Sequence, residues 1–242
     1  MTTPAATNSQ AVPTAEQVLA DLRAGFLGMY PSDYALVAPA DVPEPFHQLL
    51  VHRKHMTVVL EQYYAQSVHL QVQWSQATGT NYLRRITLTA GSVPILGSDR
   101  MGTDPFSSAA ACPAGGLVVE LGIVRLELSM LPAEVRAEIL AESTPLGRIL
   151  INHGILRRVI PYHYLRFAAA SRVIGLFGLP VPPLVYGRIG TILCNEQPAI
   201  ELLEIVTGVA PSPLPPGDDK DEGRQPPSLR NPRPWPPGVI NP

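Results

Sequence analysis

The chain has 242 residues, 45% of them hydrophobic, and a formal net charge of −2. That length and apolar content suffice for one large domain or two small ones, and the charge gives no support for binding nucleic acid or an anionic membrane surface. Cys112 and Cys194 are far apart and belong to no CxxC pattern, which argues against a zinc site and a disulfide scaffold and leaves reduced thiols as the default. The N-terminus lacks a basic segment followed by an apolar run, and the most apolar stretch, Val173 to Tyr186, is interrupted by Pro180, Pro182 and Pro183. Neither a secretory signal nor a membrane-spanning helix is expected, and the reading is of a cytoplasmic protein.

In chain order, Met1 to Pro13 is rich in Thr, Ala and Pro and is expected to be a disordered lead-in. Thr14 then caps a helix on which Val18, Leu19, Leu22 and Phe26 recur at helical spacing, with Glu16 in its first turn. The proline-rich stretch from Pro31 to Pro45 reads as a loop. Phe46 to Tyr64 reads as two short helices broken near His55 to Thr57, with Thr57 as the second N-cap. His47, His52 and His55 are close together but lack HExxH spacing and an acidic partner, so no metal is expected.

The pattern then changes to alternation. Val68 to Trp74 is the first strand, and a turn at Gly79 leads to the second, Asn81 to Thr89. On that strand Tyr82, Arg84, Ile86 and Leu88 share one face, which aims Arg84 at the core. A guanidinium keeps its charge, so a buried one needs an anion opposite it, either a carboxylate of the protein or one of a ligand. Ala90 to Gly116 is a long loop of the mobile or functional kind. Leu117 to Leu128 is the third strand, where Arg125 shares a face with Val119, Leu121 and Ile123 as a second inward arginine, with Glu127 as a ready partner.

Pro132 opens a helix with Val135, Ile139 and Leu140 inward. In Ser143 to Arg148, Thr144 as N-cap and Pro145 as N1 leave the amides of Leu146 and Gly147 without intrahelical acceptors. An ordinary capped helix ending at Gly154 and a site for an oxygen-rich ligand both fit. Ile155 to Ala169 is a fourth extended segment with Tyr162, Tyr164 and Arg166 on one face, and Val173 to Leu184 is an apolar loop suited to cover a pocket.

Leu184 to Cys194 and Pro198 to Val206 form a closing hairpin with Glu196 and Gln197 in its turn. Glu204 shares a face with Ile200, Leu202 and Val206 and is a carboxylate on an apolar face. Arg84 and Glu204 either pair as a structural salt bridge or grip a ligand between them. After Gly208 the chain is proline-dense, with prolines around Trp235, and a disordered tail is expected. The expected organisation is a lead-in at 1–13, one domain at 14–208 and a tail at 209–242. No GxSxG, P-loop or GxGxxG stretch is present, which lowers the odds of a serine hydrolase, nucleotide hydrolase or dinucleotide enzyme.

His55-Met56-Thr57 with Leu60-Glu61, the Tyr82-x-Arg84 strand, Thr144-Pro145-Leu146-Gly147-Arg148, Gly187-Arg188 and Leu203-Glu204 together resemble the chorismate pyruvate-lyase family in order and approximate spacing, over roughly Leu49 to Gly208. The resemblance implies an α+β domain with a six-stranded antiparallel sheet and helices packed around it, and six strands are also what the alternation yields. It implies a buried, cofactor-independent site where chorismate loses pyruvate to leave 4-hydroxybenzoate. By the same resemblance, Arg84 and the Met56 amide hold the ring carboxylate, and the Leu146 amide and Glu204 meet the opposite oxygen. Arg125 and Arg188 are candidate anchors for the pyruvyl carboxylate.

The chain departs from the family in two places. Ile123 stands where an arginine is expected, with Arg125 two residues later, and one extra residue separates Gly187-Arg188 from Glu204. The partners implied are chorismate and its aromatic product. The rival readings are a non-catalytic domain of the same fold class that senses an aromatic acid, and an interaction protein working through its proline-rich tail.

Overall fold

Antiparallel strand pairing carries the architecture, in a computed structural model that describes residues 12–91, 116–168, 171–177 and 184–209. Most of the expected lead-in, nearly all of the long loop before Leu117, much of the apolar loop before Leu184 and nearly all of the proline-rich tail lie outside the described residues. The helices are α1 (Ala15–Asp21), α2 (Phe46–Leu50), α3 (Met56–Tyr64), α4 (Ala133–Leu140) and α5 (Leu146–Asn152). The strands are β1 (Tyr34–Val37), β2 (Val68–Thr78), β3 (Asn81–Ala90), β4 (Leu117–Glu127), β5 (Arg157–Ala168), β6 (Leu184–Cys194) and β7 (Gln197–Val206).

They form one antiparallel sheet in the order β1-β5-β6-β7-β4-β3-β2. The fold is therefore α+β as expected, but the sheet has seven strands among the described residues, not six. The additional one is β1, which arises in the proline-rich stretch read as a loop and pairs at the sheet edge with β5, Tyr34 opposite Phe167. Four residues are too few to display alternation, and an edge position tolerates the flanking prolines. The β6–β7 turn also sits one residue earlier than expected, at Asn195 and Glu196, both with positive φ, as a two-residue hairpin requires.

Both faces of the sheet are covered. On one, α1 and the short 3₁₀ helix Arg23–Phe26 bury Val18, Leu19, Leu22 and Phe26 against Leu121, Ile123, Leu203 and Ile205. Thr14 starts α1 with a capping box, its hydroxyl accepting from the Gln17 amide while the Gln17 side chain accepts from the Thr14 amide. The other face carries two apolar clusters. One joins α2 and α3 to Ile86, Leu88 and Val206, and the second joins α4 and α5 to Val124, Ile192 and Leu202. The candidate site lies where these two clusters meet.

Close strand contact imposes one clear requirement. A Cβ on Gly190 of β6 would lie 2.8 Å from the Ile160 carbonyl oxygen and 3.1 Å from Pro161 Cα, both backbone atoms of β5 beside its bulge at Pro161. Gly190→Ala is expected to destabilise the fold by about 1–3 kcal/mol in urea unfolding, because backbone on both strands must shift; an unchanged midpoint would refute the contact.

Candidate functional site

Arg84 stands on β3 opposite Val124 of β4, and its side chain is completely buried. Alternation puts it on the face of Tyr82, Ile86 and Leu88, as expected from the sequence. None of its three guanidinium nitrogens has a hydrogen-bond partner, and among the described residues no carboxylate lies within ion-pair distance. Burial pushes its pKa down from the ordinary arginine value, while nearby Tyr82 and Glu142 act in the opposite sense. Tyr82 is itself engaged, its hydroxyl donating to Glu142. An arginine remains charged in such a setting, so its donors are left to whatever occupies the cavity.

Glu204 is the opposite case. Arg188 on β6 is its direct cross-strand neighbour, and Arg188 Nε donates to Glu204 Oε2 at 2.5 Å. The rest of the Arg188 fork holds the chain before α3: Nη1 donates to the carbonyls of Leu50 (3.2 Å) and His52 (2.9 Å), and Nη2 to that of Lys54 (3.2 Å). Arg188 is 1% exposed, and each of its three guanidinium nitrogens donates at least one hydrogen bond. The expectation that it anchors a substrate carboxylate is corrected: Arg188 is not among the cavity-lining residues, and its nitrogens donate to Glu204 and to main-chain oxygens.

Two helix starts close the cavity. Helix α3 begins at Met56 with His55 as its N-cap, and α5 begins at Leu146 with Pro145 as its N-cap. Thr57 and Thr144 are therefore not the caps; each helix starts one or two residues from where the sequence suggests, and neither has a side-chain cap. The amides of Met56, Thr57, Leu146 and Gly147 precede the first intrahelical donor and remain available. Gly147 permits the contact between the two helices, since a Cβ there would lie 3.0 Å from His55 Cβ and 3.1 Å from its Cγ. Across the outer side of this seam Arg148 pairs with Glu61 at 2.5 Å.

Arg84, Glu204, Met56 and Leu146 all line one cavity, together with His55, Gly147 and Glu120. Its free space is about 40 Å³. That is room for roughly three waters, so a six-membered ring requires the α3–α5 wall to move outward. Glu120 was not singled out from the sequence. It is 2% exposed, its Oε2 has no partner, and burial with Glu204 nearby raises its pKa well above the usual carboxylate range. The available signal was a lone carboxyl inside the apolar run Leu117 to Val124.

Arg125 does not join the site, which corrects the expectation. It lies with Leu121 and Ile123 on the α1 face, is paired with Glu201 at 2.8 Å and approaches Asp21 at 3.5 Å. The histidines have structural partners: His52 Nε2 donates to the Leu49 carbonyl, and His55 Nε2 accepts from Arg157 Nε at 2.8 Å. Among the described residues no three His, Cys, Asp or Glu side chains converge as a metal site would need, and no helix is long and apolar enough to cross a membrane. The arrangement offers an unpaired cation, a paired carboxylate and the first-turn residues of two helices around one small cavity.

The chain matches no protein-family model and no curated protein. Among solved structures it is similar to PhnF from Mycobacterium smegmatis, with a TM-score of 0.41 and 13% identity, covering 81% of this chain and 96% of that one. A likeness of that strength carries no argument about function.

An unpaired buried guanidinium destabilises the protein that holds it. Arg84→Met is expected to raise stability by about 1–3 kcal/mol in denaturant unfolding, an outcome that a structural salt bridge at this position would reverse. A pH effect follows from the two histidines, which burial and the neighbouring Arg188 push down to about 4 for His52, as burial and Arg157 do for His55. Both are neutral in the folded chain and titrate near 6.5 when unfolded, so the unfolded state binds more protons between those values. Their contribution is present above pH 6.5 and lost as pH falls towards 4. Unfolding curves across that window should show falling stability, with a shallower slope in His55→Gln.

Proposed function

We propose that the cavity binds a small aromatic acid through Arg84 and that its reaction is the removal of pyruvate from chorismate to give 4-hydroxybenzoate. The observation that carries this reading is the unequal partnering of the two buried charges. Glu204 is neutralised by Arg188, whereas Arg84 faces the same cavity with its whole planar fork unanswered. That fork suits a carboxylate held by two parallel hydrogen bonds. The Met56 amide lies on the same cavity wall, and the family resemblance of the motifs around Met56, Arg84, Leu146 and Glu204 assigns these positions the same roles.

The chemistry asks little of the protein. The ether bond from ring C3 to the enolpyruvyl oxygen breaks, C4 releases its hydrogen as a proton, the ring becomes aromatic, and the enolpyruvate takes up a proton to become pyruvate. Holding the ring still and stabilising the departing oxygen are the contributions required. Glu204 Oε2 is held by Arg188, which leaves its other oxygen for the C4 hydroxyl or the released proton. No metal or organic cofactor enters this scheme.

A second reading has one observation in its favour. Chorismate carries two carboxylates, and among the described residues the cavity presents no free guanidinium other than Arg84. A domain that binds a monocarboxylate without turnover fits that charge count. Incubation of the purified protein with chorismate separates the two: equimolar pyruvate and 4-hydroxybenzoate, resolved by chromatography from the 3-hydroxy isomer, are expected. Arg84→Lys should lower turnover by about 10- to 100-fold, because a point charge does not replace the fork. Binding of 4-hydroxybenzoate without pyruvate release would leave the sensor reading, and absence of both would remove the two together.

A further inference from the structure

Glu120 has no role in the scheme above, yet it is the most deeply buried carboxyl in the cavity wall. On β4 its cross-strand neighbours are Leu88 and Val206. Gly122, two residues on, is paired with Glu204, so Glu120 and Glu204 are diagonal neighbours on one sheet face, close enough for long side chains to converge. The Glu120 side chain turns towards that position, with Oε1 3.5 Å from where a Gly122 Cβ would stand.

The groups facing it come from four elements. Glu204 on β7 and Arg188 on β6 act on it electrostatically, and Arg84 on β3 and His55 at the start of α3 line the same cavity. Arg188 stands on β6, on the far side of Glu204 from Glu120, and its ion pair is with Glu204. Of these two neighbouring buried carboxyls Glu204 has an ion pair and Glu120 has none, which favours the proton staying on Glu120. The raised pKa of Glu120 has the same causes, burial first and Glu204 second.

We propose that Glu120 is held as a neutral carboxylic acid that donates a hydrogen bond to a hydroxyl on the bound aromatic acid, while that hydroxyl donates in turn to Glu204. This rests on the aromatic-acid reading of the cavity and deepens it. The end of the cavity remote from Arg84 then reads an uncharged phenolic or alcoholic hydroxyl, one acceptor and one donor matched to its two capacities. A second anionic group is disfavoured there, because it would meet Glu204 and leave the Glu120 proton as its only compensation.

The test compares the affinities of benzoate and 4-hydroxybenzoate by titration calorimetry at pH 7, in the wild type, Glu120→Gln and Glu120→Leu. The wild type should prefer the hydroxylated acid by about tenfold, the worth of one well-made hydrogen bond pair. Glu120→Gln retains a neutral donor and should keep most of that preference, whereas in Glu120→Leu the ratio should approach one. Infrared difference spectra of wild type against Glu120→Gln should show the carbonyl stretch of a protonated carboxylic acid. An unchanged preference in Glu120→Leu, or absence of that band, would overturn the proposal. If the wild type binds neither acid, the aromatic-acid reading and the hydroxyl assignment fall together, and the infrared band still decides the protonation of Glu120 separately.

Discussion

The Arg188–Glu204 pair determines what the rest of the cavity has to offer. Because the two residues stand directly opposite on adjacent central strands, each finds its partner with little reorganisation, and the remaining Arg188 donors fasten the backbone that leads into α3. Removing either charge would strand the other away from water, at a cost of several kcal/mol. The pair therefore fixes a wall of the cavity as well as its charge. It also withdraws Glu204 from Arg84, and that withdrawal leaves a buried arginine with no internal counter-ion.

Alternation made Arg84 and Glu204 legible in the sequence, since each is a charge among apolar neighbours two residues apart on a strand. The same rule misplaced Arg125. It correctly grouped Arg125 with Leu121 and Ile123, but a sheet covered on both sides has two interiors, and periodicity does not tell which interior a residue faces. Arg125 belongs to the α1 side, at its rim, where Glu201 answers it. Glu120 escaped for the complementary reason. A glutamate on a strand is ordinarily read as outward, and only the packing of helices on both faces of the sheet reveals that β4 has no outward face near Glu120. β1 was missed because its pairing with β5 is tertiary and leaves no local trace.

The helix starts show a finer limit. The motifs around Met56-Thr57 and Pro145-Leu146-Gly147 mark real helix boundaries, but threonine cap chemistry pointed one or two residues away from the true caps, His55 and Pro145. Neither cap supplies a side-chain acceptor, so the first-turn amides are left to whatever occupies the cavity. The requirement for glycine at 147 was likewise invisible locally. It comes from His55, more than ninety residues earlier, whose ring lies where a side chain would project.

The seam between α3 and α5 is held on its outer side by Arg148 and Glu61, whose side chains are 48% and 24% exposed. An ion pair so open to solvent contributes about 0–1 kcal/mol, comparable to thermal energy. Such a latch cannot lock a door. What holds the cover is instead the apolar packing of Met56, Leu60, Ile149 and Leu150 beneath it, so passage of a ring would be governed by how that packing yields and by how firmly Arg84 holds the guest, and the exchange rate would be nearly indifferent to ionic strength at the seam.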